Sequence, residues 1–279
     1  MILSMVVWGI SWPSNGVLTH FGSPTALGVF RYAFVILSLL ILLVVLKIPL
    51  RIKREGILFI IAAGMLMAVY NFTFLQGLHE GAPGAGGILV TTLNPILAYA
   101  LGMLIDWKRP GKFEVIGLSL GVFAGLVLLR VWENMSLLID GGNLFFLLSA
   151  VIWAVMSKFT AGSSKYGSPF AFTWWMYVVT LLSILPFSDI SEILTLTTST
   201  EPLFWGNLLF ASIITTTLAT TVYFYATAKI GAEKASSFIF TVPFSAALSS
   251  FLILGERIEW PTIVGGLVGI LAVWMINRK

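Results

Sequence analysis

The sequence predicts an all-α, polytopic membrane protein of ten transmembrane helices, built as two five-helix repeats of opposite orientation. Three observations carry that prediction. Hydrophobic residues make up 58% of the chain, charged residues 10%, and mean hydropathy is +0.98. A water-soluble domain carries roughly a quarter charged residues. Second, the chain divides into stretches of about 20 mostly apolar residues, the length that crosses a bilayer. They fall at 1–21, 24–46, 56–78, 82–105, 112–130, 142–162, 168–187, 203–227, 233–254 and 260–277. Third, the chain resembles itself.

That internal resemblance justifies the stretches in order. Sliding the sequence by 145 positions lays the first stretch on the sixth, with Ser4, Val6 and Trp8 on Ser149, Val151 and Trp153. The first stretch has no basic lead-in and no small-residue cleavage site, so it is expected to span rather than to be removed as a signal peptide. The chain begins almost inside the membrane, as it would if a short tail preceded it. The same shift lays the second stretch on the seventh: Gly22-Ser23-Pro24 on Gly167-Ser168-Pro169, and Tyr32 and Ser38 on Tyr177 and Ser183. A shift of 148 relates the fourth and fifth stretches to the ninth and tenth, pairing Pro95 with Pro243, Arg109 with Arg257, Gly117 with Gly265 and Gly121 with Gly269. The third and eighth stretches take the matching places between. The repeats are expected at 1–135 and 142–279, joined by the polar stretch 131–141. An odd number of spans per repeat turns the second copy upside down, a pattern common in secondary transporters.

Charge fixes the expected orientation. Lys47, Arg51, Lys53, Arg54, Lys108, Arg109, Lys112, Lys158, Lys165, Lys229, Lys234, Arg278 and Lys279 all fall in one set of connections, 13 of the 16 basic residues. The other set holds only Arg130 and Arg257. The connection 188–202 carries Asp189, Glu192 and Glu201 and no basic residue. The positive-inside rule therefore places both termini in the cytoplasm of a cell (inner) membrane. A net charge of +4 is a matter of topology here, and no nucleic-acid partner is expected. With no cysteine, disulfides and thiolate metal sites are excluded. No cofactor and no metal are expected.

A cavity lining can be read from helical spacing. Trp8, Ser11, Trp12 and Asn15 share one face of the first span. The third offers Tyr70, Asn71 and Phe74; the fourth, Thr91, Asn94 and Tyr99; the sixth, Ser149 and Trp153; the eighth, Thr220, Tyr223 and Thr227. Aromatic walls with a few amides and hydroxyls suit a small molecule with an apolar body and a polar or cationic end. The competing reading is helix packing and interfacial belts. Pro13, Pro95 and Pro243 lie inside spans, where each removes a backbone donor; Pro95 and Pro243 read as paired bending elements, the competing reading being static kinks that shape the bundle. Arg31 lies about 10 Å into the second span. It reads as an anchor for a substrate carboxylate, as a gate pair with Glu80, or as a snorkelling side chain. Its repeat counterpart is Met176. No span carries an acidic residue near its middle, which argues against simple proton exchange and leaves His20, His79 and Glu80 at the outer ends.

Trp8-Gly9, Arg31-Tyr32 and Leu93-Asn94-Pro95, with Leu254-Gly255-Glu256-Arg257 followed by Gly265 and Gly269, resemble the drug/metabolite transporter superfamily and its EamA repeat. The resemblance covers the whole chain, once per half; Lys108 departs from it where Glu256 stands in the second half. It implies a ten-helix bundle with a central cavity, spans five and ten peripheral, moving small metabolites such as amino acids or organic cations, frequently outward. Substrate would bind between the halves, which rock to expose it to each side in turn.

The alternatives are a facilitative channel, a receptor and, last, an enzyme. A channel favours a polar stripe from end to end, which no span supplies. A receptor usually has a long cytoplasmic loop, and all are short. Gly117-Leu118-Ser119-Leu120-Gly121 matches the G-x-S-x-G elbow of hydrolases, but it lies within an apolar helix, and the repeat keeps the glycines while Ser119 becomes Leu267. The glycines read as small-residue helix contacts, made within a monomer or across a homodimer. The expected partners are a small-molecule substrate and the lipid bilayer.

Overall fold

The computed structural model describes residues 1–81, 83–107, 109–128, 130–133, 141–246 and 260–278. These residues are helical apart from short connections, with one isolated β-bridge between Ile52 and Gly167. The helices are α1 (Ile2–Leu18), α2 (Pro24–Val45), α3 (Ile57–Glu80), α4 (Pro83–Asp106), α5 (Lys112–Leu128), α6 (Gly141–Ala161), α7 (Pro169–Ile184), α8 (Ile190–Thr197), α9 (Pro202–Leu209), α10 (Thr221–Ile230), α11 (Ala232–Ser237) and α12 (Trp260–Asn277). A π-helix, Phe210–Thr220, joins α9 to α10 without a break.

Among the described residues six helical stretches are long and apolar enough to cross a bilayer: Pro24–Val45, Arg54–Glu80, Gly86–Asp106, Gly142–Lys165, Pro169–Phe187 and Pro202–Ile230. Ile2–Leu18 and Ile263–Asn277 are apolar but shorter. Seventeen residues of α1 rise about 25 Å against a hydrocarbon core of about 30 Å, a mismatch that local thinning or flanking residues absorb. The ninth predicted stretch is only partly described: α11 and a 3₁₀ turn, Phe238–Thr241, lead into helical residues 242–246. Its remainder, the Leu254–Arg257 motif and Lys108 lie outside the described residues.

Local chemistry sets the helix starts. Ser23 accepts from the Ala26 N–H at 3.3 Å and Pro24 occupies the first turn of α2, a favoured pairing of cap and first residue. Pro169 and Pro202 likewise occupy the first turns of α7 and α9, without a side-chain cap bond. The connection 188–202, expected as a loop, contains α8. Asp189 caps it, accepting from the Ser191 N–H and hydroxyl at 2.8 Å each, and these bonds hold the Asp189 carboxyl below its usual range. Glu192 then accepts from the Ser23 N–H and hydroxyl, both at 2.6 Å, tying α8 to the start of α2.

The helices interleave rather than forming two separate halves. α6 packs mainly on α3 and α4, and α7 on α3 and α2. α1 and α2 pack on the π-helix and α9. Two groups result: α3, α4, α6 and α7 on one side, α1, α2 and α9–α10 on the other. α5 and α12 form a separate close pair. A Cβ on Gly117 would stand 2.8 Å from the Ala272 carbonyl oxygen, and one on Gly265 would stand 3.1 Å from that of Ala124. The glycines of these two helices are thus used within the chain.

Candidate functional site

The cavity lies between the two helix groups. From α1 come Trp8, Ser11, Trp12 and Asn15; from α2, Arg31 and Tyr32; from α3, Met67, Tyr70 and Phe74. α4 gives Val90, Thr91 and Asn94, α6 gives Trp153, and the π-helix gives Thr215, Thr216 and Thr220, with Ile239 closing one side. The space is about 50 Å³. That admits a few waters and is well below the roughly 300 Å³ of an open ligand pocket.

Aromatic rings form most of the wall. Trp8 and Trp153 meet edge to face at 5.1 Å, Tyr70 lies 4.9 Å from Trp153, and Trp12 meets Phe74 at 5.1 Å. The Trp8 indole N–H donates to the Thr220 hydroxyl oxygen at 3.2 Å. Tyr223 stands one layer back. Its ring is 5.0 Å from Trp8 and 5.6 Å from Trp153, and its hydroxyl meets that of Ser157 at 3.0 Å.

The π-helix follows from its threonines. Hydroxyls of Thr216, Thr220 and Thr221 donate to the carbonyls of Ala211, Thr215 and Thr216, five residues back, at 2.8, 3.0 and 3.3 Å. Each bond fills the wider turn that a π-helix leaves. The altered phase turns Thr215 and Thr216 inward as well as Thr220.

Arg31 is 9% exposed. Its Nη2 and Nε donate to the Thr216 hydroxyl oxygen at 2.9 and 3.2 Å, and its Nη1 reaches Asn15 Oδ1 at 3.5 Å. Asn15 is aimed there because its own Nδ2 donates to the Ser11 carbonyl at 2.7 Å. Among the described residues no Asp or Glu lines the cavity, and no carboxylate lies within ion-pair distance of Arg31. A second cation 6 Å away would be repelled by about 3 kcal/mol at an effective dielectric of about 20. Three polar atoms of cavity-lining residues are buried without a hydrogen-bond partner, Asn94 Oδ1, Thr215 Oγ1 and Trp153 Nε1. Such atoms cost about 1–3 kcal/mol each unless something satisfies them.

The other expected positions lie elsewhere. Asn71 is buried but donates through Nδ2 to the Pro24 carbonyl at 3.1 Å and borders a separate apolar groove between α2, α3 and α7. Neighbours on a helix point about 100° apart, so Tyr70 and Asn71 do not share the cavity. Glu80 is exposed, bonded to Gln76 Nε2 at 2.5 Å, and the Arg31–Glu80 pair does not form; Arg31 is held by neutral oxygens on its own side instead. His20 and His79 are also exposed. Pro95 and Pro243 are buried outside the cavity lining. Among the described residues no cluster of His, Asp or Glu could hold a metal ion.

On one side of the cavity the two helix groups are fastened by polar contacts. The Thr160 and Thr227 hydroxyls meet at 3.1 Å and Ser157 meets Tyr223, while Lys158 pairs with Glu233 of α11 at 3.3 Å and, within its own group, with Asp106 of α4. These contacts lie at the ends of α4, α6 and α10 and the start of α11.

Comparison with known proteins identifies a matching family. The description "EamA-like transporter family" matches residues 1–130 and again residues 140–278. A chloroplastic WAT1-related protein of Arabidopsis thaliana is 29% identical over 72% of this chain, which spans only about half (50%) of that relative's length. An uncharacterized transporter of Archaeoglobus fulgidus is 22% identical over 100% of this chain and 98% of its own. A solved crystal structure superposes with a TM-score of 0.73 over 99% of this chain and 94% of that one, at 14% identity; at that identity the likeness concerns the fold.

Proposed function

The chain belongs to the EamA-like transporter family and is a multi-pass membrane protein, and from that premise we propose that it is a secondary transporter exporting small metabolites, such as amino acids or organic cations, by alternating access. In this reading ten spans form a 5+5 inverted repeat, 1–135 and 142–279, in a cell (inner) membrane with both termini cytoplasmic. Substrate binds at the cavity, and Pro95 and Pro243 are bending points.

The observation that carries the reading is the meeting of repeat-related residues at the cavity. Trp8 and Trp153, equivalent under the 145-residue shift, touch each other. So do Tyr32 and Tyr177, at 5.8 Å. Equivalent residues touch only where an internal two-fold axis passes between them, and midplane sites of inverted-repeat transporters lie on that axis. The packing supports the same symmetry: α6 lies on α3 as α1 lies on the π-helix, and α7 on α3 as α2 on the π-helix. The small volume supports a closed resting conformation, whose walls must part for substrate. In this reading the Lys158 contacts lie at the cytoplasmic end, which the positive-inside count supports.

Flux into proteoliposomes tests this. A labelled panel of amino acids and organic cations is expected to show saturable transport of at least one member. Linear, non-saturable leak for every member, equal to empty vesicles, would count against a transporter.

A further inference from the structure

We propose that the cavity selects a monocarboxylate, with Arg31 as the residue that binds it, and that organic cations are excluded. The proposal rests on the transporter reading and narrows it.

The argument is one of unmet charge. A guanidinium this deep in a bundle ordinarily faces an acidic partner or a ligand. Here its bonds go to a threonine hydroxyl and an amide oxygen, neither of which carries charge. Thr216 and Asn15 fix the guanidinium plane, and the remaining donor capacity of a group with five N–H bonds is left for an anion. A single carboxylate balances a single arginine. A dianionic phosphate would leave one charge uncompensated, and among the described residues no lysine or second arginine lines the cavity to take it. A cationic substrate would add a like charge where none of the described lining residues offers a carboxylate.

The rest of the molecule is read from the opposite wall. Arg31, Asn15 and Thr216 belong to the helix group α1, α2 and α9–α10. Asn94 belongs to the other group and holds a buried oxygen with no donor. An ammonium or amide N–H on the same ligand would satisfy it, beside the Tyr70 and Trp153 rings. Amino acids with apolar side chains meet all three demands. Such a ligand bonds to both helix groups at once, so its binding differs between conformations in which the groups stand closer or farther apart. Differential binding of that kind is what allows a ligand to shift a conformational equilibrium.

The test uses purified protein and intrinsic fluorescence, since Trp8, Trp12 and Trp153 line the cavity. Leucine, methionine and phenylalanine are titrated beside their carboxamides and their decarboxylated amines, in chloride-free sulfate buffer. At least one acid is expected to bind about 30-fold or more tighter than its amide and amine, the range for removing one partner of a buried charged pair. Arg31→Gln is expected to abolish that preference. Thr216→Val, which keeps the charge and loses its anchor, should weaken the acid several-fold and retain the preference. The wild-type comparison needs no variant, so misfolding of Arg31→Gln cannot decide the matter. Amines or amides binding as well as acids, no acid binding, or full displacement of the acid by millimolar chloride would each overturn the assignment. Saturable flux of organic cations with acids ignored would overturn it while leaving the transporter reading standing; absence of any flux would strike that reading itself.

Discussion

Trp153→Ala is expected to lower transport by roughly 10- to 100-fold, corresponding to about 1.5–3 kcal/mol of lost ligand contact. The ring is 5% exposed and touches Trp8, Tyr70, Tyr223 and Phe224, at 5.1, 4.9, 5.6 and 5.4 Å. Removing it also opens a void at the meeting point of both helix groups. Tryptophan-to-alanine changes at buried sites cost about 3–5 kcal/mol of stability, so a lowered melting temperature is expected with the flux loss. Trp153→Phe separates the two effects: it restores most of the stability and only part of the transport. Wild-type flux in the alanine variant, measured on folded protein, would remove Trp153 from the site.

Gly9→Leu is expected to eliminate folded protein altogether. A Cβ at this position alone would lie 2.6 Å from the Ala246 backbone nitrogen and 2.9 Å from the Ser245 carbonyl carbon. Backbone cannot rotate away as a side chain can. Ordinary overpacking costs about 1–3 kcal/mol, and here three further carbons follow the first into main chain. Size-exclusion profiles in detergent should show aggregate for leucine and a reduced monodisperse peak for Gly9→Ala. An unaltered profile for leucine would mean that α1 and residues 245–246 do not approach this closely. The Trp8-Gly9 pair thus combines two demands at one turn of α1: a ring for the cavity and, one residue on, no side chain at all.

These two residues also show what sequence could and could not convey. Apolar length made the membrane helices readable, because a bilayer requires about 20 such residues whatever their order. The 3.6-residue period made the α1 face readable, and Trp8, Ser11, Trp12 and Asn15 do share the cavity. The same periodicity concealed Thr215 and Thr216, because π winding changes which positions face inward. The available signal was five threonines among residues 215–221 of an apolar span. Met67, Val90 and Ile239 line the cavity as apolar wall, and nothing in their type distinguishes them from core. Tyr223 has the right face and the wrong depth, since depth is set by the rings of Trp8 and Trp153 in front of it. Arg31 was legible as a buried charge, but its partners Asn15 and Thr216 come from another helix and from a residue 185 positions away.

If transport proceeds by alternating access, the two helix groups must separate at the Lys158 end. Thr160 on α6 and Thr227 on α10 face each other across that end at 3.1 Å, close enough for cysteines to approach disulfide geometry. The chain has no cysteine of its own, so Thr160→Cys/Thr227→Cys yields one defined crosslink. Flux is measured in proteoliposomes before and after oxidation, with reduction as the control. The account predicts that the crosslinked protein carries no saturable flux and that reduction restores it. Equal flux in the fully crosslinked and reduced protein would contradict it.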